Sequence, residues 1–375
     1  MFQARLNLYA GPGCLTGLAG AAGGSRIMVV TDTGCDQAGI LDHVLAALLP
    51  VRPVGVCAFL AAEPTFTDVS RVCEAIAADR PGCLVAVGGG SAIDLAKAAA
   101  ALATNGGSVR TYATSSYSDY QADALHSDPL PVVAIPTTAG TGSEVTRNAA
   151  ISDPVTGDKL AMRSPRLVPR AQFLDPGLLR TCPPSVAAQA GLDAAAHALE
   201  GMLSTLASPA SDELAVDAVR RLVTALPGFC RAPADPGLAM QMQIGSLLAG
   251  LVLNDCATVA GHALARAIGA AARLSHGLSV ALVIAEVVRF NAADSDRRLG
   301  NTAAALGLDR SRPADSIATA IEDLRDSLGI PARLRDLGVT RSGLAPIAAA
   351  AAQFTALNPR PAGPEELLAV LENVF

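Results

Sequence analysis

Short apolar runs alternate with segments of helical period through the first half of the chain. RIMVVTD (26–32) is rich in β-branched residues and ends in a turn, which predicts a strand. The segment around VLAALLP (44–50) has helical spacing. CLVAVGGG (83–90) predicts a buried strand running into glycine, and SAIDLAKAAAALAT (91–104) a helix behind it. PVVAIPTT (131–138) predicts another buried strand. Continuous apolar strands separated by helices predict a parallel sheet covered on both faces. After AQFLDPGLLRTCPP the pattern changes. From residue 185 onward it is alanine- and leucine-rich with helical spacing, and Pro176, Pro183 and Pro184 punctuate the change. The expectation is an α/β domain over 1–177 and an all-helical domain over 178–375, with about eight helices.

Composition narrows the function classes. The 375 residues are 51% hydrophobic and 17% charged, enough to bury a sizeable core. A net charge of −6 and an aromatic fraction of 3% without tryptophan argue against nucleic acid and a membrane-interface belt. No uninterrupted apolar run reaches the roughly 18 residues of a spanning helix, so no membrane is expected. MFQARLNLYAGPG has no long apolar core after a basic start. The eight cysteines, at 14, 35, 57, 73, 83, 182, 230 and 256, contain no CxxC pair. Reduced thiols in a cytoplasmic protein are the expectation.

Four stretches carry candidate chemistry. In VAVGGGSAIDLAK a strand ends, three glycines follow and a helix begins. Glycines let a ligand approach the backbone, and a helix start offers free N–H groups and a positive dipole end to a phosphate. Ser91 can cap that helix and donate to a phosphate oxygen; a plain strand-to-helix turn has the same look. In VVTDTG, Asp32 follows a strong strand. It either accepts from ribose hydroxyls and repels a 2′-phosphate, or caps a turn. AIPTTAGTGSEVT (134–146) is a strand followed by hydroxyls and glycines, suited to a cofactor or simply a polar loop. In GLDAAAHALEG (191–201), Asp193 and His197 sit four residues apart on one helix face. With His262 in VAGHALARAIG and His276 in RLSHGLS they make a reasonable set for Zn²⁺ or Fe²⁺, or are satisfied core residues.

Taken together and in order, GGGSAIDLAK, IPTTAGTGSEVT, GLDAAAHALEG, GHALARAIGA and LSHG resemble the iron-containing alcohol dehydrogenase family. The resemblance runs from the first strand to NPRP (358–361). It implies a dehydroquinate synthase-like architecture: an α/β dinucleotide-binding domain, an all-helical metal- and substrate-binding domain, and an active site in the cleft between them. It implies an NAD-dependent alcohol dehydrogenase or aldehyde reductase acting on a small alcohol or aldehyde, and a homodimer. The implied ligands of a catalytic Fe²⁺, with Zn²⁺ the alternative, are Asp193, His197, His262 and His276. The implied cofactor contacts are Asp32, Gly89, Gly90, Ser91, Asp94, Thr137, Thr138, Thr141, Asn148 and Lys159.

Two positions depart from the family pattern. Glu63, in AAEPT, stands where asparagine is usual near the adenosine. Arg266 stands where a second histidine is usual near the nicotinamide, and arginine cannot shuttle a proton. It either grips an acidic group on the substrate or turns to another partner. The competing readings are a lyase of the dehydroquinate synthase type and a hydroxyacid- or glycerol-type dehydrogenase. One aspartate with three histidines favours the alcohol dehydrogenase.

Overall fold

The structure is a computed structural model that describes residues 6–23, 26–49, 51, 53–60, 63–114, 124–156 and 159–375. Met1–Arg5, the start of MFQARLNLYAGPG, and Pro50, which ends the second predicted element, lie outside the described residues. The chain divides into two compact units. One holds the described residues up to Cys182 together with Ala234–Gln243; the other holds Pro183–Pro233 and Ile244–Phe375.

The first unit is built on a six-stranded sheet. Its strands are β1 (Leu8–Ala10), β2 (Ile27–Asp32), β3 (Gly55–Phe59), β4 (Cys83–Gly88), β6 (Val132–Pro136) and β9 (Ala171–Leu174). The order is β1-β9-β6-β4-β2-β3, and every pairing is parallel, as the unbroken apolar runs predicted. Ile27 to Val30 and Cys83 to Val87 are fully buried. Such strands have no polar face because helices cover both sides. The helix Phe66–Asp79 opens with a capping box between Thr65 and Asp68. The helix Gly90–Asn105 presents Ile93, Ala96 and Ala100 to the core beneath β2, β4 and β6. Its alanines let it lie close to the strands.

Strand order and register place the site. From β2 the chain steps to β3 on one side and returns to β4 on the other, so the order reverses between β2 and β4. Ligands of open parallel sheets bind outside the carboxyl ends of the strands at such a reversal. Thr31 pairs with Val87 and Gly88 with Pro136, which levels Asp32, the glycine loop and the 137–146 loop at that edge. A small antiparallel sheet of β5 (Ala113–Thr114), β8 (Lys159–Arg163) and β7 (Asn148–Ser152) adjoins this framework. The apolar pattern did not predict it, because its strands are short and half-polar.

The second unit is helical. The described chain after Pro183 forms nine α-helices of ten residues or more and no strand. Among them are Pro184–Leu203, Pro209–Arg231, Ala260–Ala272 and His276–Phe290. The helix Pro236–Cys256 is long and apolar enough to cross a membrane by length and composition, with a hydropathy of 1.4. The expectation from uninterrupted runs missed it because Gln241, Gln243, Ser246 and Asn254 interrupt the sequence while leaving the average high. A core helix has the same length and composition, and 56% of the apolar stretch of this one is buried inside the protein.

Candidate metal centre and cofactor loop

Three helices of the second unit bring the metal-ligand candidates together. Pro184 starts the helix Pro184–Leu203 at its first turn, where a missing N–H costs nothing. Asp193 and His197 share its buried face, 4% and 5% exposed. His262 stands in the first turn of Ala260–Ala272, and His276 opens His276–Phe290. Gly277 lets that last helix approach, since a Cβ there would lie 2.8 Å from the Gln189 carbonyl oxygen.

The Nε2 atoms of all three imidazoles lie within 4.0 Å of one carboxylate oxygen, with His197 the farthest and outside the tighter set of the other three residues. Asp193 Oδ1 lies 3.3 Å from His262 Nε2, 3.6 Å from His276 Nε2 and 4.0 Å from His197 Nε2. The His197 and His262 rings stack at 4.5 Å. Asp193, His262 and His276 offer ligand atoms within 4.8 Å of one another. Asp193 Oδ1 and His262 Nε2 are buried, and among the described residues neither has a hydrogen-bond partner. Buried polar atoms without partners are costly, and a cation satisfies both at once.

A carboxylate that the sequence reading did not assign stands behind this cluster. Glu200 is fully buried, and its Oε2 meets His262 Nδ1 in a short contact. Asp193, His197 and Glu200 form one stripe at i, i+4 and i+7, the signal that could have revealed it. Burial opposes the charge on Asp193, yet His197, His276 and His262 hold its carboxyl well below the usual range. Burial also opposes a proton on His262, but Glu200 and Asp193 outweigh it and lift the imidazole to about 10. A site that concentrates negative charge on buried imidazoles favours a proton or a metal cation at the same lone pair.

Arg266, one turn beyond His262, lays its guanidinium over the Phe354 ring at 4.3 Å. The attraction between cation and ring face helps to order the guanidinium.

The cofactor candidates gather in the first unit. Asp32 caps the helix Thr33–Gln37, accepting from the Cys35 N–H at 2.9 Å. Its Oδ2 borders Gly88, where a Cβ would lie 2.7 Å away. Gly88 has φ +147°, a conformation that favours glycine. At Gly90 a Cβ would meet Thr141 Oγ1 at 2.5 Å, and at Gly89 it would meet Thr138 Oγ1 at 3.3 Å. The Thr137 N–H donates to the Gly88 carbonyl at 3.0 Å. Asp32, the glycines and the three threonines therefore form one surface. Ser91 is not the cap expected of it: the helix begins at Gly90 with Gly89 as N-cap, and Ser91 falls inside the first turn.

Asp94 serves the loop. It accepts from the Ser143 hydroxyl in a short contact and from the Ala150 N–H at 2.9 Å. Lys97, fully buried and unassigned in the sequence reading, donates to Ser143 Oγ at 3.0 Å, Thr146 Oγ1 at 3.2 Å and the Asn148 carbonyl at 2.8 Å. Asn148 Oδ1 is buried with no hydrogen-bond partner among the described residues. Lys159 pairs with Glu63 at 3.0 Å, so the acid that departs from the family pattern faces a cation of the small sheet. A cavity of about 520 Å³, lined in part by Asp128, Arg166 and Arg170, opens at the opposite, amino end of β6 and β9, and of the groups just described it touches Lys97 alone.

Residues 7–176 match the iron-containing alcohol dehydrogenase family, and residues 187–375 match that family's C-terminal part. The chain belongs to the iron-containing alcohol dehydrogenase family. This iron-containing alcohol dehydrogenase is 33% identical over 374 residues to the probable alcohol dehydrogenase EutG of Escherichia coli strain K12, covering 96% of this chain and 90% of EutG. It superposes on a crystal structure of 1,3-propanediol oxidoreductase with a TM-score of 0.92 at 28% identity, each chain covered in full. A sulfoacetaldehyde reductase from Bifidobacterium kashiwanohense, solved with NAD⁺, gives 0.91 at 26% identity, covering 100% of this chain and 98% of that one. These likenesses bear out the expected family, fold and reaction class, and the protein is an alcohol dehydrogenase rather than a lyase of similar architecture.

Proposed function

We propose that this alcohol dehydrogenase moves hydride between NAD and a small alcohol or aldehyde with the help of iron held by Asp193, His197, His262 and His276. The observation that carries the reading is the convergence of three imidazole Nε2 atoms on Asp193 Oδ1 at 3.3–4.0 Å. One carboxylate and three imidazoles suit Fe²⁺ or Zn²⁺, and the partnerless Asp193 Oδ1 and His262 Nε2 fit a cation. When bound, the metal supplies Lewis-acid polarisation of the substrate oxygen, and NAD supplies the hydride acceptor.

The chain's own residues do the binding and orienting. The N-terminus of the helix Gly90–Asn105, with Gly89, Gly90 and Ser91, offers amides and a dipole end to the pyrophosphate. Asp32 accepts from the ribose hydroxyls and repels the 2′-phosphate of NADP. Thr137, Thr138 and Thr141 present hydroxyls, and Asn148 Oδ1 accepts a cofactor donor. Lys159 adds a contact at the small sheet, while Asp94 acts through the loop it ties down. Arg266, on the helix that carries His262, takes an acidic group on the substrate, because a guanidinium binds a carboxylate or sulfonate in bidentate fashion.

The same proposal includes a functional division near residue 177, a homodimer and a cytoplasmic location. Eight free thiols support a reducing compartment. Leu8, 38% exposed on the edge strand β1, and Leu6, 46% exposed just before it, support a partner chain there.

The test is to load the protein with Fe²⁺ and follow NADH over a panel of neutral and acidic alcohols, with NAD⁺ and then NADP⁺. Metal-dependent turnover that prefers NAD⁺ is expected, and His262→Ala should lose both metal and turnover. Metal-loaded protein that reduces neither cofactor, or a His262→Ala variant with unchanged metal content, overturns the reading.

A further inference from the structure

We infer that Glu200 is a positioning residue for the metal centre, fixing His262 by its backbone and its ring at once so that Nε2 faces Asp193. The inference rests on the metal reading of the preceding section and goes beyond it to a residue outside the ligand set.

Glu200 Oε1 accepts three amide hydrogens from the start of the helix Ala260–Ala272: Val259 at 3.0 Å, Gly261 at 2.8 Å and His262 at 3.2 Å. A helix start leaves its first N–H groups without partners, and a buried one must find acceptors. One carboxylate oxygen meets that need. The second, Oε2, meets His262 Nδ1. An ionised carboxylate only accepts, so Nδ1 must carry hydrogen. The lone pair available to a cation is then on Nε2, the atom 3.3 Å from Asp193 Oδ1. A carboxylate that orients a ligating imidazole and raises its basicity belongs to the outer shell of many metal sites.

Position 261 shows how closely the parts are fitted. A Cβ on Gly261 would stand 2.9 Å from Glu200 Cδ and 3.0 Å from each carboxylate oxygen. The carboxylate reaches the helix start only because residue 261 has no side chain. Glu200 also shares its helix with Asp193 and His197. One rigid element thus carries two ligands and the group that aims a third.

Two variants test this. Glu200→Gln keeps the shape and an oxygen for the backbone amides but turns an N–H₂ group toward Nδ1. His262 must then accept there and place its hydrogen on Nε2, which blocks coordination. Gly261→Ala keeps the charge of Glu200 and displaces its carboxylate. Co²⁺ is titrated into full-length metal-free protein against a competing chelator, with the Co²⁺ absorption spectrum recorded and the melting temperature of each metal-free variant measured. Wild type is expected to bind one Co²⁺ per chain, and both variants to bind about 10- to 100-fold more weakly. The metal-free Glu200→Gln protein should melt near wild type. Variants that bind Co²⁺ within threefold of wild type, with an unchanged spectrum, overturn the inference. So does a lower melting temperature with undiminished affinity in the folded protein, because Glu200 would then serve the fold alone. Wild type that binds no Co²⁺ instead overturns the metal reading on which this rests. If Glu200→Gln does not fold, Gly261→Ala decides.

Discussion

Arg266 stands where the family resemblance implies a histidine, and the proposed role for it is to grip an acidic group on the substrate. Its guanidinium lies over the Phe354 ring at 4.3 Å, a contact worth about 0.5–2 kcal/mol depending on solvent access. A cation so held is ordered before a substrate arrives, so little side-chain entropy remains to be lost on binding. A hydrogen bond to a charged group contributes roughly 1.5–3 kcal/mol. Arg266→Ala should therefore lower kcat/KM about 10- to 100-fold for an alcohol bearing a carboxylate or sulfonate. A neutral alcohol of similar size should lose little. Steady-state kinetics on one acidic and one neutral substrate decide the point. Equal losses on both would remove Arg266 from substrate recognition. Phe354 was not legible in the sequence, because residues 88 positions apart meet only through the fold.

At the scale of elements, the loop between β6 and β7 is clamped from beneath by polar groups the helix Gly90–Asn105 carries inward. Lys97 and Asp94 bind Ser143, and Lys97 also holds Thr146 and the Asn148 carbonyl. Between these partners Glu144 is 3% exposed, and burial pushes its carboxyl up to about 7 against the opposing pull of its backbone hydrogen bond and Lys97. Burial likewise pulls the Lys97 ammonium below the usual lysine value, with Asp94 and Glu144 opposing. The folded protein holds a proton on Glu144 that the unfolded chain releases near the ordinary glutamate value of 4.5. Its contribution to stability is therefore complete below about pH 4.5 and lost as the pH rises to about 7. The size of that contribution is on the order of 3 kcal/mol. Urea unfolding of wild type and Glu144→Gln between pH 5 and pH 8 should show the variant gaining on wild type as pH rises, with a plateau above about pH 7. A constant difference across that range would mean that Glu144 is ionised throughout.

At the scale of the whole chain, the candidate metal site joins segments that sequence separates widely. Asp193 and His276 are 83 residues apart on different helices, yet their ligand atoms lie 3.6 Å apart. The unfolded chain holds no such cluster, so a cation at this site binds the folded state and stabilises it by mass action. At a free concentration 100 times Kd the gain is about 2.7 kcal/mol. Saturating Fe²⁺ or Co²⁺ under anaerobic conditions should raise the melting temperature by several degrees, and a chelator should reverse it. Asp193→Asn should abolish most of the shift. An unchanged shift in that variant would place the stabilising ion elsewhere on the chain.

Sequence by itself determined the parallel sheet, the helical second half, the glycine loop and the four metal-ligand candidates. Burial on both faces forces a strand such as Leu84–Val87 to be apolar throughout, and a ligand must have donor chemistry wherever it sits. Those constraints act on residue type and spacing, which a sequence displays. Tertiary structure decided which polar groups serve which neighbour. The register of β2, β4 and β6 sets Asp32 beside Gly88, and helix packing brings Glu200 against His262 and Phe354 beneath Arg266. The capping role assigned to Ser91 passed to Gly89, because the backbone turns one step earlier than the apolar pattern implies. Lys97 and Glu200 stood in the very stretches that were singled out, but a charged residue in an alanine-rich helix looks the same whether solvated or buried. What separates the two cases is a partner from a distant segment, and only the folded chain supplies it.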